Sequence, residues 1–404
     1  MDLFHDNPAL QNLRQMLGAF AKQMMRPVAI KHDQEESMPW DLMKMAQAVG
    51  MTQTALLDGR KKLTGTDDDA DPSKPRTMAR MGVTVSEELS WGCAGIALAL
   101  NGSSLAASPV ARMGTSDQKA EFRKLLAGLD DKGHIKIAAM ALSEPGTGSD
   151  ISGLKTSARA DGNHWILRGS KQWITNGQSA SAYVVWAQTE PAAGRAGVRG
   201  FLVGRDAPGL IPGKKETKLG IRASETAQVH LEDVRVHQDM MLGTPAGAGA
   251  GGLSDTKKML DATRPSIGAQ AVGIARATYE FLLERVRGGS LHGTPMASHQ
   301  HIMFELADMH MEIEASRLLV HRAAWMADYQ LDNVAEASAG KAHAARTVQS
   351  VTNRAMVLLG EEALEPGHPV EKWYRDAKIY DIFEGTGQIQ RRIIARHLTG
   401  QNPT

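Results

Sequence analysis

Hydrophobic positions in the first third of the chain recur at the spacing of helices. An apolar stripe begins after Asn7-Pro8 and predicts a helix that ends at Pro27, because proline cannot continue a helical hydrogen-bond ladder. A segment rich in Ala, Leu and Met at 77–107 predicts a buried helix or helix pair, and 116–126 predicts another amphipathic helix. We therefore expect residues 1–138 to form an all-helical domain.

Short runs of β-forming residues replace the helical pattern after Gly133. Turn pairs such as Asp161-Gly162 and Asn176-Gly177 separate them, which is typical of consecutive antiparallel strands. We expect residues 139–242 to form a small antiparallel β-barrel or sandwich. The predicted strand segments are 164–168, 182–186, 200–203 and 228–231.

Helical periodicity returns from Asp255 to the end of the chain. Two long amphipathic segments with short loops predict a four-helix bundle over 243–404. One of them covers 335–359, and the other carries the apolar stripe Leu306, Met309, Ile313, Val320 and Ala324. The glycines of 247–252 match a dinucleotide-binding fingerprint, but only helices follow them, so we expect a hinge. The expected fold class is α+β multidomain, with helical, β and helical-bundle parts in that order.

Composition excludes several classes of function. The 404 residues include 46 Lys and Arg against 45 Asp and Glu, interspersed along the chain, which gives no reason to expect nucleic acid or an anionic membrane as partner. The single cysteine, Cys93, allows no internal disulfide and fits a reducing cytoplasm. No signal peptide and no membrane span are expected. The acidic run 67–71 lacks the central Gly and closing Glu of a calcium loop, so we expect no metal site.

Glu384 stands at a predicted helix end beside a Gly-Thr-Gly corner. Ile379, Ile382 and Phe383 precede it at helical spacing and should face a core. A carboxylate placed there loses water, which raises its pKa toward the value that a general base needs near neutral pH. The alternative is a surface glutamate whose following glycine caps the helix.

A second candidate site combines a small-residue loop with an aromatic strand. In 141–153 the glycines would let backbone amides approach an electron-rich ligand, and Ser143, Thr147 and Ser149 would add hydroxyl groups. The alternative is an ordinary Gly-Pro loop. Some twenty residues later, Trp173 and Thr175 would flank and hydrogen-bond a planar ring.

These segments together resemble the acyl-CoA dehydrogenase family, flavoproteins with a helical–β–helical fold. The stretch 141–153 is similar to the family's flavin and acyl-CoA loop, and 171–177 to its Trp-Ile-Thr flavin motif. Asp261-Ala-Thr-Arg264 resembles the substrate-contacting start of its first C-terminal helix. The segment from Tyr374 through Glu384-Gly-Thr386 to Gln390-Arg391 resembles its closing signature. The resemblance is collinear and covers essentially the whole chain.

The resemblance implies FAD as cofactor and α,β-dehydrogenation of an acyl-CoA thioester, with hydride transfer to flavin N5. It is closest to the short- and medium-chain branch, which places its base just before Gly-Thr. Another branch carries the base where this chain has Thr263, so the base is assigned to Glu384. The implied cofactor residues are Leu142, Ser143, Thr147, Gly148, Ser149, Trp173, Ile174, Thr175, Arg287, Gln300, Thr386 and Gln388. The implied substrate residues are Ser149, Asp261, Arg264, Phe383, Glu384 and Gly385.

The chain departs from the family at the implied ADP end of the flavin site. Relatives place an Arg three residues before a Phe-Gly and use a Gly-Gly-x-Gly segment, both across a subunit interface. Here Gly289 replaces the Arg, His292 replaces the Phe, and the second segment is Gly360-Glu-Glu-Ala363. Arg287 lies nearby and could substitute, whereas Glu361 and Glu362 should repel a pyrophosphate.

Three alternatives follow from the resemblance and its departures. The expected protein is a homotetramer, a dimer of dimers, that passes electrons to an electron-transfer flavoprotein. The carboxylates at 361–362 suggest instead a subunit that needs a paralogous partner, as in a heterotetramer, to complete its flavin site. An acyl-CoA oxidase that passes electrons to oxygen is the third alternative. The sequence does not determine the acyl chain of the substrate.

Overall fold

The computed structural model describes residues 8–48, 77–243 and 253–401, with the backbone alone for 253–262. The acidic run 67–71, the glycine-rich segment 247–252 and the side chain of Asp261 lie outside the described residues. In the N-terminal part the helices are α1 (Pro8–Phe20), α2 (Arg26–Gln34), α3 (Trp40–Ala48), α4 (Met78–Asn101), α5 (Ser104–Met113) and α6 (Ser116–Leu125).

The N-terminal helices follow the hydrophobic pattern with one difference. The expectation that the first helix ends at Pro27 is wrong, because a π-helical turn at Ala21–Met25 leads directly into α2. Pro27 directly follows this π-helical turn, so the helical path continues although Pro27 has no N–H to donate. The buried helix pair expected over 77–107 is confirmed as α4 and α5, and α4 is kinked at Cys93 (φ −167°, ψ 118°).

The central part is one seven-stranded, mostly antiparallel sheet. The order is β1-β4-β2-β3-β7-β6, and β5 pairs with β4. Each predicted strand segment lies inside an observed strand. β1 runs parallel to β4, an arrangement that the alternation of side chains does not specify. The strands are β1 (Ala138–Ala141), β2 (Ser157–Asp161), β3 (His164–Thr175), β4 (Ala182–Gln188), β5 (Val198–Gly204), β6 (Leu210–Lys215) and β7 (Thr226–His237).

The C-terminal part is a helical bundle whose central helix carries many small residues. Its helices are α7 (Leu253–Gly288), α8 (Gln300–Asp328), α9 (Val334–Leu359), α10 (Pro369–Ala377) and α11 (Gly387–Thr399), and the hairpin β8 (Ser290–Leu291) and β9 (Thr294–Pro295) joins α7 to α8. Helix α9 contacts α7, α8 and α11. The apolar stripe expected from Leu306 to Ala324 is buried in this bundle. A Cβ at Gly340 would lie 3.2 Å from the backbone of Val320, so glycine allows α8 and α9 to approach closely.

Helix α10 connects the bundle to the other two parts. Arg375 donates to Asp33 of α2 at 2.6 Å and to the carbonyl of Leu219 at 2.9 Å. Asp376 accepts a hydrogen bond from the backbone N–H of Ile221 at 2.5 Å. These contacts fix the segment that leads into Glu384. Within the described ranges no single helix is long and apolar enough to cross a membrane; the bent pair α4 and α5 reaches that length and composition only together.

Candidate active site

Glu384 lies in the turn between α10 and α11. After α10 the chain forms a 3₁₀ turn at Lys378–Asp381 and then reverses through Glu384 (φ 54°) and Gly385 (φ 92°). The expectation that Ile382 faces the core is wrong, since its side chain is 50% exposed. The helical repeat stops at Asp381, so Ile382 no longer follows the buried stripe. Ile379 and Phe383 are partly buried against the bundle core, as expected.

The Glu384 carboxylate is desolvated but not isolated. The hydroxyl of Thr263 in α7 donates to Glu384 Oε2 at 3.0 Å. Loss of water raises the pKa of the Glu384 carboxyl, and the Thr263 hydrogen bond with the charges of Arg264 and Lys341 offsets part of this rise. A carboxylate with a raised pKa at the entrance of a turn is suited to accept a proton.

Two side chains from other helices hold the backbone of this corner. Lys341 of α9, 1% exposed, donates from Nζ to the carbonyl of Gly385 at 2.7 Å. Gln390 of α11, fully buried, donates to the carbonyls of Glu384 at 3.2 Å and Gly385 at 3.0 Å. Sequence analysis missed both residues. A single lysine among the alanines of a buried helix was the available signal for Lys341.

The small-residue loop is fixed from behind by a buried ion pair. Glu144 accepts from the backbone N–H groups of Lys155 at 2.7 Å and Thr156 at 2.9 Å. Lys171 of β3 donates to the Glu144 carboxylate at 2.9 Å and to the carbonyl of Leu142 at 3.1 Å. Burial and this ion pair act in opposite directions on the pKa of Lys171, which falls to about 8. Sequence analysis missed the Glu144–Lys171 ion pair. The available signal was Glu144 itself, since a carboxylate in a loop of small residues indicates a cationic partner.

Trp173 projects from the sheet because β3 bulges there. The pairing of β3 with β7 shifts register between Lys171 and Ile174, and Trp173 adopts a left-handed conformation (φ 60°). Its indole is 61% exposed, whereas Ile174 is buried in the sheet core. An exposed indole held by a strained backbone beside a glycine-rich loop is suited to stack on a planar ring, and this role stays a prediction.

The other predicted flavin residues differ in their hydrogen bonds and in their exposure. Thr147 donates its hydroxyl to the carbonyl of Gly153 at 3.1 Å, so that hydrogen is engaged within the loop. Thr386 accepts from the N–H of Ile389 at 3.3 Å and caps α11. Among the rest, Leu142 and Ser143 are partly buried, Thr175 lies near the end of α4, and Gly148, Ser149 and Gln388 are exposed.

The predicted substrate residues divide between the two C-terminal segments. Arg264 is 4% exposed and lies with Nη1 at 3.4 Å from the hydroxyl of Ser338 on α9, while its charge acts on Glu384. Phe383 packs edge-on against Tyr380 with ring centroids 5.2 Å apart. The described hydrogen bonds do not join Glu384 directly to the small-residue loop or to Trp173. Their common use by one ligand stays a prediction.

The segment that carries Glu361 and Glu362 is paired with a cation from another helix. Arg285 of α7 forms a two-pronged ion pair with Glu362, at 2.9 and 3.1 Å, which neutralises one of the two carboxylates. At Gly289 a Cβ would lie 2.6 Å from the Arg285 guanidinium and 2.6 Å from its carbonyl, so this path of the chain has no room for a side chain. Arg287 and Gln300 are exposed, and their roles stay predictions.

The donor groups fit the ring end of FAD better than its phosphate end. The loop of 142–149 offers exposed glycines and serine hydroxyls next to the exposed indole of Trp173. At the other end, Arg285 is already paired with Glu362, and Glu361 is exposed. Trp173 would therefore hold the ring, and Arg285 is a cation beside 360–364 that a phosphate could approach.

The chain is similar to known proteins over nearly its whole length. The chain matches the family models for the acyl-CoA dehydrogenase N-terminal domain over residues 7–129, the middle domain over 139–234 and the C-terminal domain over 250–399. It is 37% identical over 391 residues to the short-chain specific acyl-CoA dehydrogenase, mitochondrial, of Bos taurus, covering 96% of this chain and 89% of that protein.

Two solved structures have the same fold over nearly the whole chain. Butyryl-CoA dehydrogenase from Megasphaera elsdenii has a TM-score of 0.87 at 32% identity, covering 98% of this chain and 100% of that one. A glutaryl-CoA dehydrogenase from Mycobacterium smegmatis in complex with FADH2 has a TM-score of 0.86 at 26% identity, covering 98% and 96%. The chain belongs to the acyl-CoA dehydrogenase family of FAD-dependent oxidoreductases, and the fold expected from its sequence is confirmed.

Proposed function

We propose that this protein dehydrogenates a short-chain acyl-CoA thioester between its α and β carbons, with Glu384 as the base that removes the α-proton. The observation that carries the proposal is the Glu384 carboxylate, desolvated, held by Thr263 and placed in a strained turn. Bound FAD would supply the hydride acceptor. The relatives named for short-chain and butyryl substrates support a short acyl chain.

The residues of the chain would divide the work in three ways. Thr263 would orient the Glu384 carboxylate, since its hydrogen bond fixes one oxygen and leaves the other available for the α-proton. Trp173 and the loop of 142–149 would hold the flavin ring and exclude water from it. Arg264 and Asp261 would face the CoA portion, as the family resemblance implies.

The direct test is an absorbance titration of the purified, FAD-loaded protein. Anaerobic addition of butyryl-CoA should bleach the flavin band of the unaltered protein. The Glu384→Gln variant should keep the flavin band and bleach at least about a hundredfold more slowly, the range expected when a general base is removed. Bleaching of that variant at the rate of the unaltered protein would refute the assignment of the base.

Further measurements on the purified protein separate the alternatives. Oxygen uptake without an added acceptor would favour an acyl-CoA oxidase over a dehydrogenase that passes electrons to an electron-transfer flavoprotein. A colourless protein that takes up no added FAD would favour a subunit that needs a paralogous partner, which the carboxylates of Glu361 and Glu362 motivate. We propose a homotetramer for the unaltered protein, and its mass in solution tests this.

A cytoplasmic location is also a proposal. The single cysteine, Cys93, is buried in α4, which is compatible with a reducing compartment. The mammalian relative carries a mitochondrial name, so localisation of the tagged protein in its native host is the deciding observation.

A further inference from the structure

We infer that Lys341 is a positioning residue for the reaction: its buried ammonium holds the corner that carries Glu384 and keeps the Glu384 carboxylate ionised before substrate binds. The inference rests on the proposed role of Glu384 as the base. Lys341 lies 43 positions before Glu384, on a different helix, and is 1% exposed. Its Nζ donates to the carbonyl of Gly385, the residue directly after the base, at 2.7 Å.

Hydrogen bonding alone does not explain a lysine at this position. The Gly385 carbonyl already accepts a hydrogen bond from Gln390 at 3.0 Å, so the corner retains a donor without Lys341. A buried ammonium is costly unless nearby charge compensates it. What Lys341 adds that the Gln390 amide cannot is a positive charge close to the base.

Charged groups from three elements face this ammonium. Asp381 in the 3₁₀ turn and Glu384 in the corner favour its charged form, whereas Arg264 from α7 opposes it. Asp381 Oδ1 is buried and has no hydrogen-bond partner among the described residues, so Lys341 compensates that carboxylate through space as well. Glu384 in turn faces Thr263, Arg264 and Lys341. Two cations therefore oppose the desolvation of one base, and Lys341 also contacts the backbone of the corner at the Gly385 carbonyl.

Helix α9 presents these groups on one face. Ser338 and Lys341 are three positions apart, which places them side by side on a helix. The Ser338 hydroxyl contacts the Arg264 guanidinium, and the Lys341 ammonium contacts the Gly385 carbonyl. Helix α9 therefore contacts the site at two points. A shift of α9 relative to α11 would therefore change both the position and the charge environment of Glu384.

The test is the pH dependence of kcat/KM for FAD-loaded protein with butyryl-CoA and a dye acceptor. In Lys341→Gln the acidic limb should move upward by about one pH unit, because an opposite charge that favours the ionised base is gone. The rate above that limb should fall less than tenfold. Lys341→Arg should keep the acidic limb of the unaltered protein. Arg346→Gln removes the same unit charge from the exposed face of α9 and should change neither quantity.

The outcomes separate this inference from the function on which it rests. A purely structural lysine would lower the rate at every pH and leave the acidic limb in place, which would overturn the inference while Glu384→Gln remained inactive. Full turnover in Glu384→Gln would overturn the base assignment and the inference together. If Lys341→Gln fails to fold, Lys341→Arg decides: an acidic limb that moves up in this charged variant refutes the role of the charge.

Discussion

Glu384 should reduce the stability of the folded protein for two separable reasons. Its left-handed backbone costs about 1–2 kcal/mol for a residue with a Cβ. Its carboxyl is desolvated, which raises its pKa above the value in the unfolded chain. Replacement by Gly relieves the strain and the buried charge, whereas replacement by Gln relieves the charge alone.

The expected changes in the free energy of unfolding differ between the two variants in magnitude and in pH dependence. For Glu384→Gly the strain term favours the variant by about 0.5–1 kcal/mol after the extra entropy of glycine in the unfolded chain is subtracted. For Glu384→Gln the sign depends on pH. A raised folded-state pKa contributes stability below the unfolded pKa and loses it as pH rises through the folded value. The Gln variant should therefore gain stability over the unaltered protein at pH 7, and this gain should be absent at about pH 3.

Urea unfolding at saturating FAD measures these differences, since bound cofactor stabilises all variants by mass action. Gln330→Gly is the matched control for strain: Gln330 is exposed, follows α8 and has φ 58°, so it carries the same backbone strain without a buried charge. It should gain about 0.5–1 kcal/mol at both pH values. A Glu384→Gln protein less stable than the unaltered protein at pH 7, or equally shifted at both pH values, would refute the reasoning.

Three further variants probe other parts of the structure. Burial alone would raise the pKa of Glu87, but the charges of Arg317 and Arg276 hold it at about 2. Glu87→Gln should therefore lower the free energy of unfolding, measured in urea, by about 3 kcal/mol at pH 7. This loss of stability should shrink as the pH is lowered from about 4.5. Trp173→Ala should weaken FAD binding about tenfold in a fluorescence titration, with little change in the unfolding midpoint because the indole is exposed. Glu362→Gln should tighten FAD binding severalfold, because it releases Arg285 from its ion pair. The control Glu365→Gln, at an exposed position, should leave the FAD affinity unchanged. An unchanged affinity in Glu362→Gln would show that the Arg285–Glu362 ion pair lies away from the cofactor.

The elements were predictable where side-chain periodicity reports burial directly. The stripe from Leu306 to Ala324 is buried as its spacing required, and the four strand segments lie in β3, β4, β5 and β7. Periodicity assigns a face but not a neighbour, which is why the parallel pairing of β1 with β4 was not expected. At Pro27 the rule that proline ends a helix failed, because a π-helical turn just before it carries the helical path into α2.

The candidate site was predictable only as far as motifs extend along the chain. Glu384, Trp173 and the loop of 142–149 stand in continuous segments that sequence analysis could single out. Lys341 and Lys171 act on residues 43 and 27 positions away, through packing of helices and strands that no local pattern encodes. The small size of Gly289 likewise has a spatial cause, since the Arg285 side chain fills the place where a Cβ would project.

Backbone strain at three residues is maintained by contacts from distant parts of the chain. Trp173, Ile221 and Glu384 all have positive φ, and Ile221 is β-branched, for which this conformation is costly. Each is held by long-range contacts: Trp173 by the bulge between β3 and β7, Ile221 by the Asp376 carboxylate, Glu384 by helices α7, α9 and α11. Because Asp376 is in the helix that leads to Glu384, the loop between β6 and β7 and the base share one anchor. Loss of that anchor, as in Asp376→Asn, should therefore disturb the turn at Ile221 and the base together, whereas loss of Lys341 should disturb only the base.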